Sequence, residues 1–110
     1  MNGKPLRWIH GEVKTPPISQ EARREIGFLL RELQDGIRLA MPQSRPMPVI
    51  GARCHELRVN DTSKTWRVVY RLDTDAIVIL EVFEKKTNQT PLAVIAACRQ
   101  RLKRYEEAQL

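Results

Sequence analysis

A chain of 110 residues has room for one hydrophobic core, so we expect a single domain spanning residues 1–110. Hydrophobic residues make up 42% and charged residues 29%, which is typical of a folded globular protein and excludes an intrinsically disordered one. No apolar run approaches the roughly 20 residues of a membrane span, and the first residues lack the apolar core of a secretory signal. We therefore expect a cytoplasmic protein. Cys54 and Cys98 lie far apart without metal-ligand spacing, which favours two buried thiols over a disulfide or a metal site.

The net charge of +6 is concentrated in the second half of the chain. Residues 53–104 contain eleven Lys and Arg against six Asp and Glu. A cationic field of this kind speeds encounter with polyanions and makes their binding salt-dependent. We expect a nucleic-acid ligand and no membrane, although many small proteins are basic for solubility alone.

The first half of the chain predicts a short strand followed by a helix. Residues 6–10 have strand character, which the prolines within 14–18 end because they remove ladder donors. Ser19 suits an N-cap, and a helical apolar stripe follows as far as Gln34. The apolar positions of this stripe are Ala22, Ile26, Leu29, Leu30 and Leu33. Asp35-Gly36 ends or kinks the helix, with room for one more turn over residues 37–41.

Three strands follow an ordered, proline-rich crossing at residues 42–51. Their ranges are 53–59, 65–72 and 76–84, and the second alternates cleanly between apolar and cationic residues. The third is apolar on both faces, as in a central strand. The polar turn at residues 73–75 predicts an antiparallel hairpin between the last two strands.

A second helix is predicted to begin with Thr90 as N-cap and Pro91 as its first residue. Its buried stripe would be Leu92, Ile95, Cys98, Leu102 and Tyr105. The fold class is therefore α+β, a small, mainly antiparallel sheet of three or four strands in the order β-α-(α)-β-β-β-α. We expect both helices to cover one face of this sheet and to leave the other face, or its rim, for cations.

Each of the three later strands carries cations at or near an end. These residues are Arg58 on the first strand, Arg67 and Arg71 on the second, and Lys85 and Lys86 on the third. Paired strands lie only about 4.8 Å apart, so the charges would gather on one small surface and repel one another. A bound phosphodiester would supply the missing negative charge.

Several motifs resemble the RelE/ParE toxin superfamily, and most closely its HigB-type branch, which includes phage-derived host-inhibition proteins. The likeness rests on H-E-L-R at 55–58, W-R-V-V-Y-R at 66–71, V-F-E-K-K-T at 82–87, T-P at 90–91 and the closing helix. These motifs cover about half of the chain.

The resemblance implies a toxin that cuts messenger RNA on the ribosome and is silenced by a co-encoded antitoxin, expected to be a small helix-turn-helix protein. The implied reaction is attack of a ribose 2′-OH on the adjacent phosphate, without a metal or another cofactor. By resemblance the catalytic residues are Arg58, Arg67 and one of the two lysines after the last strand, Lys85 or Lys86. The RNA-binding candidates are His55, Glu56, Tyr70, Arg71, Thr87 and Arg99.

The sequence departs from the family in the residues that handle protons. Ribonucleases of the superfamily often place Tyr or His after the last strand, whereas residues 87–90 of this chain offer no acid or base for neutral pH. The remaining candidates are His55, Glu56, Lys85 and Lys86. Two other functions therefore stay open: a toxin that inhibits gyrase without cutting RNA, and a non-toxic module that binds nucleic acid or an antitoxin.

Each candidate also has a purely structural interpretation. Arg67 could pair with Glu81 across the hairpin, Arg58 could be a solvated residue beside Glu56, and the two lysines could serve solubility. Trp66, Tyr70 and Phe83 fit a core better than a base-stacking platform. If Arg67 is functional and not structural, Arg67→Ala should abolish toxicity with little change in the thermal midpoint.

Overall fold

The computed structural model describes residues 3–109, which form two helices and one five-stranded sheet. In chain order the elements are β1 (Leu6–Trp8), α1 (Gln20–Gln34), β2 (Ser44–Pro46), β3 (Cys54–Asn60), β4 (Thr65–Leu72), β5 (Ile77–Lys85) and α2 (Leu92–Gln109). The predicted α+β class is confirmed.

The sheet has the strand order β1-β5-β4-β3-β2 and is mainly antiparallel, as predicted. The pairing of β1 with β5 is parallel and the other three are antiparallel. The sheet is larger than the three or four strands expected, because the proline-rich crossing contributes the edge strand β2. Proline is tolerated at a sheet edge, since it removes no hydrogen bond from an interior ladder.

Helix α1 confirms the predicted start, stripe and end. The Ser19 side chain accepts a hydrogen bond from the backbone N–H of Ala22 at 3.0 Å, as an N-cap should. All five apolar stripe positions are buried. Gly36 ends the helix with a φ of +87°, a conformation open to glycine at little cost. The extra turn expected at residues 37–41 does not form, and that segment is irregular.

Strands β4 and β5 form the predicted antiparallel hairpin, closed by a hydrogen bond from the N–H of Asp73 to the carbonyl of Ala76. Strand β5 is paired on both sides and buried at its start, which explains its apolar character on both faces. An irregularity after Val69 shifts the register, so that Val69 lies opposite Glu81 and Tyr70 opposite Ile79. Leu80 is the extra residue.

The two helices cover opposite faces of the sheet, so the prediction that both cover one face is wrong. Side chains of α1 pack with Leu57, Val68 and Ile79 in one core cluster. Side chains of α2 pack with Val69 and Val78 in a second cluster. Because neighbours along a strand point to opposite faces, β5 can feed both clusters, and its two-sided apolar sequence already required two covers. We call the two sides the α1 face and the α2 face.

Helix α2 differs from its prediction at its start. Its first helical residue is Leu92, and Pro91 supplies the first accepting carbonyl, to the N–H of Ile95. Thr90 is therefore not the N-cap. Leu92 was expected in the buried stripe but is 83% exposed, whereas Cys98 and Leu102 are buried as predicted.

Both cysteines are free and buried, which confirms the prediction of two thiols without a disulfide. Burial raises the pKa of Cys54 to about 11 and that of Cys98 to about 12. Neither helix within residues 3–109 is long and apolar enough to cross a lipid bilayer.

Candidate functional site

The strand register brings four cations to one end of the α2 face. Arg58 on β3 lies directly opposite Arg67 on β4, and Arg45 on β2 lies opposite Glu56 on β3. Lys85 ends β5 on the same face, two positions beyond the partner of Arg67. We call Arg45, Arg58, Arg67 and Lys85 the cationic cluster. Three of these residues were candidates from the sequence.

One carboxylate lies at the centre of the cationic cluster. Glu56 is fully buried, and its Oε1 lies 3.1 Å from Arg45 Nη2, 3.3 Å from Arg67 Nη1 and 3.6 Å from Lys85 Nζ. Its Oε2 accepts a hydrogen bond from the Thr90 hydroxyl at 2.7 Å. A buried carboxylate is tolerated only when it is paired in this way. Glu56 therefore acts as the internal counter-ion of the site.

The site still carries more positive than negative charge. Four cations face one carboxylate, and no other described carboxylate forms an ion pair with any of them. Arg58 and Arg67 are like charges placed directly opposite each other, which is unfavourable in a sheet. The Nε atoms of Arg45 and Arg67 are buried without a hydrogen-bond partner. The arrangement has unused donors and unbalanced charge, and an anion could satisfy both.

The environment of Lys85 lowers the pKa of its ammonium group. Burial lowers the pKa of Lys85, Glu56 opposes that effect, and the nearby arginines lower the pKa further. Burial also lowers the pKa of Arg67. A lysine with a lowered pKa can give up a proton more readily near neutral pH, whereas an arginine remains charged.

Solvent reaches the site from two sides. Arg58 lines a cavity of about 320 Å³ together with Gln43, Asn60 and the α1 residue Glu25, whose carboxylate forms no ion pair with Arg58. Arg45 and Thr90 line a second cavity of about 390 Å³. Arg67 and Lys85 lie deeper, with side chains only 5% and 2% exposed. A ligand therefore meets Arg45 and Arg58 first.

The other sequence candidates lie outside the cationic cluster. Arg71 shares the face of Arg67 but is four residues away along β4, about 13 Å at the usual rise per residue. It binds Asp73 through two nitrogens and Glu106 through a third, at 2.8–3.0 Å. Although burial acts to lower it, the pKa of Arg71 is raised by these two carboxylates. Arg71 is held as a structural residue.

His55 and Tyr70 lie on the α1 face, the opposite side of the sheet from Glu56. Their rings stack with centroids 5.4 Å apart, and the Tyr70 hydroxyl is hydrogen-bonded to that of Ser44 at 2.6 Å. Lys86, unlike Lys85, is exposed outside the cluster. Two further candidates are also exposed: the Thr87 hydroxyl donates to the carbonyl of Gln89, and Arg99 donates to the carbonyl of Val49.

The alternative pairing of Arg67 with Glu81 is wrong. Arg67 lies opposite Phe83, and Glu81 contacts Arg101 and His10. Counted outward from the turn without the register shift at Leu80, Val82 and not Glu81 would lie opposite Arg67, so neither register pairs the two.

Sequence reasoning missed two members of the site, Arg45 and Thr90. Arg45 lies in the proline-rich crossing, for which the sequence predicts no strand. For Thr90 the sequence predicts a role as N-cap of the second helix and not a contact with the sheet. The signal for Arg45 is its position between Ser44 and Pro46, because an edge strand tolerates proline and alternation then turns Arg45 toward Glu56.

Among the residues that the structure describes, no group of three His, Cys, Asp or Glu side chains is arranged to hold a metal ion.

Comparison with known proteins places the chain in a family. No curated protein matches this chain. Residues 17–103, well over half of its length, match the family model described as phage derived protein Gp49-like (DUF891). The chain therefore belongs to the Gp49-like family of phage-derived proteins, a member of the RelE/HigB-like superfamily of toxins from toxin–antitoxin systems.

Proposed function

We propose that this protein is the toxin of a toxin–antitoxin pair and that it cleaves messenger RNA at the cationic cluster. Family membership implies an antitoxin partner. The observation that carries the ribonuclease proposal is the set of three cations paired with one buried carboxylate, with Arg58 directly opposite Arg67 and two arginine Nε atoms unpartnered. Within the superfamily we assign the chain to the HigB-type branch, with a small helix-turn-helix antitoxin.

The arginines would hold the scissile phosphate. Arginine binds phosphate oxygens through a planar pair of donors and keeps its charge throughout the reaction. Arg58 and Arg45 are the members that a phosphate reaches first, and the free Nε of Arg67 lies beneath them. Such donors stabilise the charge that develops on the phosphate in the transition state.

Glu56 and Lys85 are the two groups of the site that can move protons. In our proposal Glu56 accepts the proton of the ribose 2′-OH as this oxygen attacks the phosphorus. The bond from phosphorus to the 5′ oxygen then breaks, and Lys85 donates a proton to the leaving oxygen. The products are a 2′,3′-cyclic phosphate and a 5′-OH. The lowered pKa of Lys85 favours this donation.

Phosphate binding at the deep cations requires the site to open. Thr90 closes one side of the site, since its hydroxyl donates to Glu56 and accepts from Arg45 Nη2 at 3.2 Å. The segment from Lys86 to Pro91 would have to lift for RNA to enter. Closed clefts of this kind commonly open when substrate binds.

Because no strong proton donor follows β5, we propose that cleavage of messenger RNA takes place on the ribosome. Residues 87–90 supply no imidazole or phenol, so proton transfer alone gives this site little acceleration. Holding the attacking 2′-OH in line with the phosphate can supply a large share of the barrier reduction instead. A ribosome that presents messenger RNA in a fixed conformation would provide this alignment.

Induced expression in a sensitive host tests the proposal. Growth arrest and the 5′ ends of cellular transcripts are compared for the wild-type chain, Arg58→Ala and Lys85→Met. We expect arrest and new transcript ends for the wild type and for neither of these two variants. Because Lys85 is 2% exposed and paired with Glu56, loss of toxicity in Lys85→Met counts only where its thermal midpoint shows a folded protein. Arg24→Ala is the matched control, because it removes an equal charge from the exposed surface of α1 on the other face.

Purified ribosomes programmed with messenger RNA give the second readout, since cleavage should leave 5′-OH ends. Arrest without new transcript ends, accompanied by a DNA-damage response, would favour the gyrase-inhibitor alternative. Arrest and cleavage that persist in Arg58→Ala and Lys85→Met would contradict the assignment of the cationic cluster.

A further inference from the structure

A second surface with unusual composition lies between β1 and α1. Phe28 on α1 is 63% exposed, and Trp8 on β1 is 44% exposed. The two rings line a groove of about 470 Å³, which also contains Leu6 and Val13. Large aromatic residues left in solvent as a group indicate an interaction surface, whereas single exposed apolar residues do not.

The groove belongs to the α1 face. Leu6 and Trp8 lie opposite Ile77 and Ile79 in the parallel pairing of β1 with β5, and these isoleucines pack in the cluster under α1. The groove and the cationic cluster are therefore on opposite sides of the sheet. A partner in one does not block the other.

The helix side of the groove permits close approach of another chain. Gly27 lies next to Phe28, and a Cβ placed on it would meet nothing within 4 Å. The missing side chain leaves bare helix backbone beside an aromatic ring. Strand β1 pairs on one side with β5 and is the edge strand of the described sheet on its other side.

The charges around the groove are of one sign. Arg23 and Arg31 line it, no Asp or Glu does, and neither arginine forms an ion pair with a described carboxylate. An apolar floor between unpaired arginines is complementary to a segment with an apolar face flanked by carboxylates. Bases of RNA can stack on Trp8 and Phe28, but the aliphatic residues of the floor offer no hydrogen bonds to base edges, so the groove fits an amphipathic peptide better.

We propose that this groove is the docking surface for the antitoxin, through an amphipathic segment whose acidic residues meet Arg23 and Arg31. This inference rests on the proposed toxin–antitoxin function. Tryptophan and other aromatic residues at the centre of an interface carry a large share of binding free energy. An antitoxin held on the α1 face leaves Glu56 and its cations uncovered.

Binding of the co-encoded antitoxin to purified variants tests the docking surface. Titration calorimetry with the purified antitoxin compares the wild type with Phe28→Asp and Arg31→Glu. We expect Phe28→Asp to weaken binding by about 30-fold or more, as for a hot-spot residue, and Arg31→Glu by about tenfold at low salt. Leu92→Asp is the control, because Leu92 is another exposed apolar residue, more exposed than Phe28, but lies beside the cationic cluster.

The four outcomes are distinguishable. Loss of binding in Phe28→Asp with unchanged binding in Leu92→Asp supports the docking surface. Loss in Leu92→Asp alone shows that the antitoxin covers the cationic cluster, and unchanged binding in every variant places it elsewhere; either result overturns the inference while leaving the toxin proposal intact. A wild-type chain that binds no co-encoded antitoxin overturns both. The thermal midpoint of each variant is measured to detect misfolding, which is not expected for substitutions at such exposed positions.

Discussion

Glu56 is the residue on which the local structure of the site depends. A carboxylate with no solvent contact loses its hydration and is stable only because Arg45, Arg67, Lys85 and Thr90 replace the lost water. The same contacts hold the cations together against their mutual repulsion. Removing one partner of a buried ion pair typically costs about 3–5 kcal/mol, because the other is left uncompensated.

This burial changes the expectation for Arg67. The sequence alone suggested that Arg67→Ala would leave the thermal midpoint nearly unchanged. With its side chain 5% exposed and paired with Glu56, Arg67 cannot be removed without a loss of stability. For this reason the half-buried Arg58, which has no described ion-pair partner, is the better test of function.

Glu56→Gln should destabilise the protein and make it sensitive to anions. The substitution keeps the size of the side chain but leaves four neighbouring cations without their counter-ion. We expect a lower thermal midpoint in chloride and a larger recovery in phosphate at equal ionic strength than the wild type shows, since phosphate can replace the lost charge. Scanning calorimetry in the two buffers measures both effects.

Glu107→Gln is the matched control, because it removes the same charge from an exposed position of α2. Equal midpoints and equal phosphate responses in the two variants would show that Glu56 is not the internal counter-ion.

At the scale of elements, the segment between β5 and α2 is bonded to the sheet, because the Thr90 hydroxyl contacts Glu56 and Arg45 and does not cap the helix. Thr90→Val should therefore cost about 1–3 kcal/mol of unfolding free energy, because it removes a buried hydrogen bond to a charged group. Most of this cost should vanish in a Glu56→Gln background, where the charged acceptor is absent. Denaturant unfolding of the two single variants and the double variant measures this coupling.

Thr87→Val is the comparison within the same segment, since the Thr87 hydroxyl donates to a backbone carbonyl in an exposed position. If Thr90→Val costs the same with Glu56 or Gln at position 56, the hydroxyl acts on the helix start and the sequence-based assignment of Thr90 as a cap regains its support.

The elements that the sequence predicted well are those with a strong periodic pattern. Helix α1 has an apolar stripe, an N-cap at Ser19 and a glycine stop, and the structure matches all three. Strand β4 and its hairpin with β5 follow from alternation and a polar turn. Strand β2 could not be predicted in this way, because three residues next to prolines carry too little pattern, and its pairing is set by tertiary contacts.

Three of the four cations of the site were candidates from the sequence, whereas Arg45 and the counter-ion role of Glu56 were not predicted. The sequence indicates Arg58, Arg67 and Lys85, because pairing of their strands must bring these charges together. Glu56 was a candidate for RNA binding and for proton transfer, but its role as the buried counter-ion was not predicted, because the sequence does not reveal burial. His55 and Tyr70 lie on the other face because each is an odd number of residues from a member of the site on its own strand, His55 from Glu56 and Tyr70 from Arg67. Side-chain alternation along β3 and β4 therefore separates them from the site.

The whole molecule presents two different faces. The end of the α2 face carries a surplus of three positive charges over a buried carboxylate, and the α1 face carries an aromatic groove flanked by two arginines. The two faces share one sheet, with β5 contributing to both cores. This division suits a protein that meets a nucleic acid on one side and a protein partner on the other.

The division also predicts how the salt dependence of RNA binding responds to charge removal. RNA releases counterions in proportion to the phosphates that the protein contacts, with a slope of roughly 0.7 per contact for single strands. If RNA lies on the α2 face, Arg58→Ala should reduce the slope of log binding constant against log salt by about that amount. Arg24→Ala, on the outer surface of α1, should leave the slope unchanged although it alters the net charge equally. Fluorescence anisotropy with an oligoribonucleotide carrying 2′-deoxyribose at its central position allows the titration without cleavage. Equal slopes for the two variants would mean that RNA is attracted by the overall charge of +6 and not bound at the cationic cluster.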